Sequence, residues 1–120
     1  IRLRDTDFDG MVECVTCNKK IPWSAPRGRG AQSGHFVPGR TNGIIFDERN
    51  AHPQCYACNI HKKGNLINYW PYMMEHYGQI VIDELRRLKF STDKISREWY
   101  EGNVAYYTEI VRRLKIEKGL

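Results

Sequence analysis

Two Cys-x-x-Cys pairs, Cys14–Cys17 in ECVTCNKK and Cys55–Cys58 in CYACN, constrain this chain more than any other feature. Each pair can form a tight knuckle whose thiolates face one point. Two knuckles complete a tetrahedral shell, the arrangement Zn²⁺ takes in a closed structural site. Two disulfides could use the same residues, but nothing marks the chain as secreted: IRLRDTDFDG has no apolar signal core. Ordinary zinc ribbons separate their pairs by about 15–20 residues. Here 37 residues lie between Cys17 and Cys55. A sizeable element is therefore inserted between the knuckles, and it contains His35. The 120 residues suit one domain with a modest core. The chain lacks an initiator Met and opens in mid-pattern, as a trimmed chain would.

The charge distribution points at the same segment. The net charge is +5, and Lys19 to Lys63 contains eight basic residues against two acidic ones, Asp47 and Glu48. Of these, Lys19, Lys20, Arg27, Arg29, Arg40, Lys62 and Lys63 are candidate contacts for a polyanion. A basic field around a reactive cluster suits a polyanionic substrate, although a merely solvated basic surface reads the same way. No apolar run approaches the roughly 20 residues of a membrane span, so no membrane role is expected.

Periodicity places the parts. Residues 1–8 read as the end of a helix. IPWSAPRGRGAQSG is a Gly/Pro-rich loop, in which Trp23 either packs against the first knuckle or stacks on a base. HFVPG reads as a strand entering a turn, RTNGIIF as a turn and the returning strand of a hairpin, and DERNAHPQ as a loop braced by His52 and Pro53. A helix is expected from the second knuckle through CNIHKK, stopped at Gly64-Asn65. LINYWPYMMEHYG is helical, with Pro71 as a start or kink, and His76 is structural. Gln79–Phe90 is amphipathic, with Ile82, Leu85 and Leu88 on one side. Ser91–Ser96 breaks the pattern, and Ser96 can cap the next helix. Tyr100, Val104, Tyr107, Val111 and Leu114 then form a narrow seam on that long last helix. The seam is expected to pack on Gln79–Phe90, or to form a homodimer contact.

A β-hairpin followed by a helix, pinned by cysteine knuckles, with His35 on the first strand and Asn59 directly after Cys58, resembles the HNH (ββα-metal) nuclease motif. Phosphodiester hydrolysis needs a nucleophilic water, a general base and a cation for charge developing on phosphate. Histidine titrates near neutral pH, so His35 fits the base. Asn59 offers a hard oxygen suited to Mg²⁺ or Mn²⁺. In HNH proteins the middle Asn holds the hairpin loop and orients the His, which Asn50 matches. Many HNH nucleases place Asp or His before the base as a second metal ligand, where this chain has Gly34. An Asp there could tighten metal binding if the backbone allows it. His61 is a candidate for the missing ligand, but on a regular helix it lies about 200° around from Asn59. A phosphate contact or simple packing are its other readings. Lys63, four residues after Asn59, would share its face and could meet a phosphate.

The ordered set of IRLRD, CVTC, GHF, FDERN-HPQC, CN-HKKGNL and YW is similar to the NinG (Rap) family of lambdoid phages, over nearly the whole chain. The resemblance implies a recombination endonuclease acting on branched DNA, such as Holliday junctions and D-loops, in the cytoplasm of the bacterial host. It implies an α+β fold: a zinc-bound, treble-clef-like HNH core over residues 1–78 and a C-terminal helical hairpin over residues 79–120. The site would comprise His35, Asn50 and Asn59, structural Zn²⁺ on Cys14, Cys17, Cys55 and Cys58, and catalytic Mg²⁺ or Mn²⁺ on Asn59 with His61. A non-catalytic zinc DNA-binding module, or an HNH nuclease that cuts duplex DNA without structural preference, remain the rival readings.

Overall fold

The computed structural model describes residues 1–38, 43–90 and 96–120, and has an α+β architecture. Arg40, Thr41 and Asn42 at the start of RTNGIIF, and residues 91–95 of the break expected over Ser91–Ser96, lie outside the described residues. The first knuckle is the turn of a small hairpin. Strand β1 (Met11–Glu13) pairs antiparallel with β2 (Lys20–Pro22), Val12 opposite Ile21. Asn18 takes φ 65°, and the Cys14 and Asn18 amides donate to the Lys19 and Cys14 carbonyls. The turn closes tightly enough to gather two thiols.

A second hairpin pairs β3 (Gln32–His35) with β4 (Ala51–Gln54), Gly34 opposite His52. The described part of RTNGIIF, Gly43–Phe46, is thus not the returning strand. Gly43–Phe46 forms a short 3-10 turn, and the expected loop AHPQ is the strand. The physical cause is burial. The turn drops Ile44 into the core, where it is 1% exposed, beside Phe36, Val37, Tyr69, Met73, Ile82 and Leu85. All four residues of β4 are buried, so the strand lacks the polar/apolar alternation of a half-exposed one. Its polar side chains bond internally, with the Gln54 Oε1 as the exception. Gln54 donates to the Thr16 hydroxyl and the Gly64 carbonyl, and His52 bonds Tyr69 and Tyr77.

After Cys55 a π-helical turn (Ala57–His61) carries the second knuckle. Three consecutive positive φ values end it, at Lys63, Gly64 and Asn65. Lys63 therefore leaves the helical register that would have placed it over Asn59. Helix α1 (Leu66–His76) holds Pro71 in its interior, and α2 (Gln79–Lys89) buries Ile82 and Leu85. Leu88, expected on that side, is 37% exposed. His76 stacks on Tyr72 at 4.1 Å.

Ser96 caps α3 (Arg97–Lys118) by accepting from the Trp99 amide. The seam of this helix does not seat on α2. Trp99, Tyr100 and Tyr107 pack around Phe46, with ring centroids 5.6, 5.5 and 5.9 Å away. Beyond them, Val111 and Leu114 face Ile1 and Leu3 across a cavity of about 710 Å³. The Lys118 ammonium then donates to the carbonyls of Leu3, Arg4 and Thr6, at 2.6, 3.1 and 2.6 Å. Those carbonyls belong to a run of turns, not to the helix end expected over residues 1–8. Asp7 closes that run by accepting from the Asp9 and Met11 amides. The Arg2 and Lys115 cations each lie 5.6 Å from the Trp23 ring. No helix among the described residues is long and apolar enough to cross a membrane.

Candidate metal centre and the hairpin beside it

The four cysteine sulfurs lie within 4.8 Å of one another. With Zn–S bonds of about 2.3 Å, a tetrahedron has S···S edges of roughly 3.8 Å. The Cys17 and Cys55 sulfurs are 3.8 Å apart. Cys14, Cys55 and Cys58 are buried and Cys17 faces solvent. Donors already point at the sulfurs: the Thr16 hydroxyl at Cys14, the Cys58 amide at Cys55 and the Asn65 side-chain amide at Cys58. Such outer contacts stabilise thiolate ligands. Burial pushes the Cys14 thiol up, but hydrogen bonds from Thr16 and from nearby backbone amides outweigh it and hold the thiol at about 6. The cluster can therefore hold a metal ion such as zinc. Among the described residues it is the one such grouping of Cys, His, Asp or Glu ligand atoms.

His35 ends β3, half-buried, with Nε2 3.4 Å from the Ile45 carbonyl oxygen. A carbonyl only accepts, so this contact places the ring proton on Nε2 and leaves the lone pair on Nδ1. Asn50 is 0% exposed. Its Oδ1 accepts from the Val37 amide at 2.8 Å and its Nδ2 donates to the Val37 carbonyl at 2.7 Å. Its own carbonyl takes the Phe36 amide. Asn50 thus fixes both residues that follow His35.

Asn59 is half-buried and donates through Nδ2 to the Gln32 Oε1 at 2.7 Å. Its Oδ1 accepts no hydrogen bond among the described residues, so a hard oxygen is left open. Strand alternation puts Gln32 and Gly34 on one face of β3 and His35 on the other. The structure ties Asn59 to β3, then, but no hydrogen bond among the described residues joins it to His35. His61 turns to Tyr56, ring against ring at 5.2 Å, and shares no such contact with Asn59.

Gly34 has a packing reason. A Cβ there would fall 1.9 Å from the Gln54 Oε1. That oxygen is the one buried side-chain polar atom without a hydrogen bond among the described residues. The Gly34 Cα–H points at it, a weak polar contact that only glycine permits. The expectation that Asp at position 34 could serve as a ligand is thereby corrected. The obstacle is Gln54; φ is not in the left-handed region. Gly34→Ala is expected to cost about 1–3 kcal/mol through overpacking, with Gly34→Asp worse. Urea unfolding measures this, and a Gly34→Ala chain as stable as the parent would contradict it.

Sequence reasoning underrated the group behind Gly34. The Tyr69 hydroxyl donates to the Gly34 carbonyl at 2.8 Å, so it must accept from the His52 Nδ1–H at 2.9 Å. The His52 Nε2 then accepts from the Tyr77 hydroxyl, also at 2.9 Å. Burial, reinforced by the Arg4 cation, pushes the His52 pKa down from an ordinary 6.5 to about 4. As pH falls below 6.5, the unfolded chain takes up a proton that the folded one refuses until about 4. Stability is therefore full above that window and is lost within it, by about 3 kcal/mol at most. The expected result is a steeper loss of stability from pH 6.5 to 5 in wild type than in His52→Gln, both saturated with zinc. Equal slopes would refute it. The only hint in the sequence was a His beside a Pro, in a segment without periodicity.

The basic residues divide. Lys19, Lys20, Arg27, Arg29, Lys62 and Lys63 are exposed, and none forms an ion pair among the described residues. Arg49 is withdrawn from the field by Asp47 at 2.8 Å and Glu84 at 3.0 Å. Lys19, Lys20, Arg29 and Lys62 line one groove of about 630 Å³ beside the cysteine cluster.

The family described as "Bacteriophage Lambda NinG protein" matches residues 1–117. Protein ninG of Salmonella phage P22 is 33% identical over 101 residues, covering 78% of this chain and 44% of that protein. Protein ninG of Escherichia phage lambda is 34% identical over 88 residues, covering 71% of this chain and 37% of its own length. Protein ninG of Enterobacteria phage H19B is 50% identical over 88 residues, 71% of this chain and 38% of that one. The chain thus spans less than half the length of these relatives. No solved structure matches. With nearly every residue inside the family match, the chain belongs to the NinG family of phage proteins.

Proposed function

We propose that this chain is a metal-dependent DNA endonuclease of HNH type that hydrolyses phosphodiester bonds in branched DNA. The observation that carries the reading is the setting of His35. Its Nε2–H is directed at the Ile45 carbonyl, its Nδ1 takes no hydrogen bond among the described residues and could accept a proton from water, and Asn50 locks the next two residues. Long contacts of this kind around a base are common before substrate arrives. Asn59, with its open Oδ1, would contribute to a site for Mg²⁺ or Mn²⁺, which keep most of their waters and accept phosphate oxygens. Such an ion would offset the charge that develops on phosphate. The four cysteines would hold structural zinc, and the free cations would bind the polyanion. The preference for branched DNA, and work in the host cytoplasm, rest on the family resemblance.

A second reading, a non-catalytic zinc DNA-binding module, is favoured by the groove of cations next to the cluster. The deciding experiment is cleavage of a fluorescent four-way junction against a matched linear duplex, with Mg²⁺, with Mn²⁺ and with EDTA. Metal-dependent cutting of the junction alone supports the proposal. Binding without cutting assigns the module. Equal cutting of both substrates removes the structural preference.

A further inference from the structure

The groove beside the cysteine cluster has a chemistry that duplex binding does not require. Lys19 and Lys20 lead into β2, Arg29 comes from the following loop, and Lys62 follows the second knuckle. Four cations from three segments converge there, and no Asp or Glu among the described residues lines the space. Four thiolates around Zn²⁺ would carry a formal charge of −2, which these cations outnumber. The floor is apolar, with Ile21, Pro22 and Ala57 among its residues. Phosphates need no apolar floor; bases do.

Tyr56 supplies an aromatic surface in the same groove, and its side chain is 41% exposed. The ring does not swing freely. Gly28 backs it so closely that a Cβ there would sit 2.8 Å from the ring carbon Cδ2, and His61 meets it edge to face. Gly28 has φ +70°, which is why the loop can approach the ring at all. A held, exposed aromatic ring among cations is the recurrent platform for single-stranded nucleic acid. The volume of about 630 Å³ is that of a small-ligand site, suited to one or two nucleotides and too small for a duplex.

We propose that this groove holds one unpaired DNA strand, its phosphates on Lys19, Lys20, Arg29 and Lys62 and a base stacked on Tyr56. The proposal rests on the nuclease reading only in taking DNA as the polymer. A branched substrate would then be recognised at the strand that leaves the duplex, next to the hairpin that carries His35.

The test is fluorescence anisotropy on the zinc-loaded chain without Mg²⁺ or Mn²⁺, so that nothing is cut. The probes are labelled oligo-dT of 12 nucleotides, oligo-U of the same length and a 12-base-pair duplex. The single DNA strand is expected to bind several-fold tighter than the duplex. Tyr56→Ala is expected to weaken oligo-dT by about 5- to 100-fold, the range of one lost base stack, while Tyr56→Phe restores it. Lys62→Gln is expected to flatten the salt dependence by about 0.7 in the log–log slope. Circular dichroism verifies that each variant is folded; Lys62→Gln reads the groove if Tyr56→Ala is not. Three outcomes overturn the proposal: tighter duplex binding, tighter oligo-U binding, or a folded Tyr56→Ala chain that binds oligo-dT like wild type. Because no cleavage is read, failure of catalysis leaves this test intact. A junction cut normally by Tyr56→Ala with unchanged strand affinity sinks the groove alone.

Discussion

Cys55→Ser is expected to yield a chain without a stable fold, not a slower enzyme. Structural zinc in small domains contributes about 10–16 kcal/mol of apparent binding energy. A domain of this size is stable by only about 5–15 kcal/mol in total. The cluster is also one of two buried cores among the described residues, in which Cys14, Cys55 and Cys58 pack with Val12, Ile21 and Ala31. Removing one thiolate therefore takes away a ligand and leaves three others crowded and charged. Circular dichroism and thermal melts give the readout, together with elemental analysis of the parent, where about one zinc per chain is expected. A purified parent that is folded and free of metal, or a Cys55→Ser chain that melts like wild type, would refute the structural role of the metal.

His35→Ala should separate turnover from binding. A positioned general base contributes about 10²–10⁴-fold in rate, equivalent to about 3–5 kcal/mol of barrier. Cleavage of a junction should fall by that factor. Affinity should stay within a few-fold, because the free cations lie on other segments and His35 brings none of them. The salt dependence of binding should be the same in both proteins, since the same counterions are released. A His35→Ala chain that cuts at the wild-type rate would place the base elsewhere and remove the HNH assignment of this residue.

The parts legible in the sequence were those whose signal is local. Cys-x-x-Cys spacing fixes a knuckle by chain geometry alone, so the cluster followed from two short words of sequence. Periodicity exposed α2 and α3, and Ser96 announced the cap of α3. Strand β4 was hidden because all its residues are buried, so no alternation survives. Its His52 and Gln54 look like loop residues until Tyr69, Tyr77, Thr16 and Gly64 supply their partners. Ile44-Ile45-Phe46 reads as a strand by composition, yet the core needs only Ile44, and a tight turn delivers one residue better than an extended run. Gly34 could be read as a missing ligand only while Gln54, 20 residues away, was out of sight. The seam of α3 was visible but its partner was not, because Phe46 looked like the end of a strand. For the site, the residue types were legible and their contacts were not. Nothing in the sequence says that Arg49 is consumed by Asp47 and Glu84, or that Asn59 meets β3 through Gln32.

Lys118 binds carbonyls that lie 112 to 115 positions earlier in the chain, whereas Cys17 and Cys55 are only 38 positions apart. The ribosome therefore delivers everything the knuckles need long before it delivers the residue that fastens Leu3, Arg4 and Thr6. Arg4 can reach the carbonyls of Glu48 and Ala51 earlier, but the Leu3 and Thr6 carbonyls wait for the ammonium of Lys118. Until the end of α3 emerges, the turns around Leu3 and Thr6 have no ammonium to gather their carbonyls. The oldest part of the domain thus receives one of its fastenings from the newest.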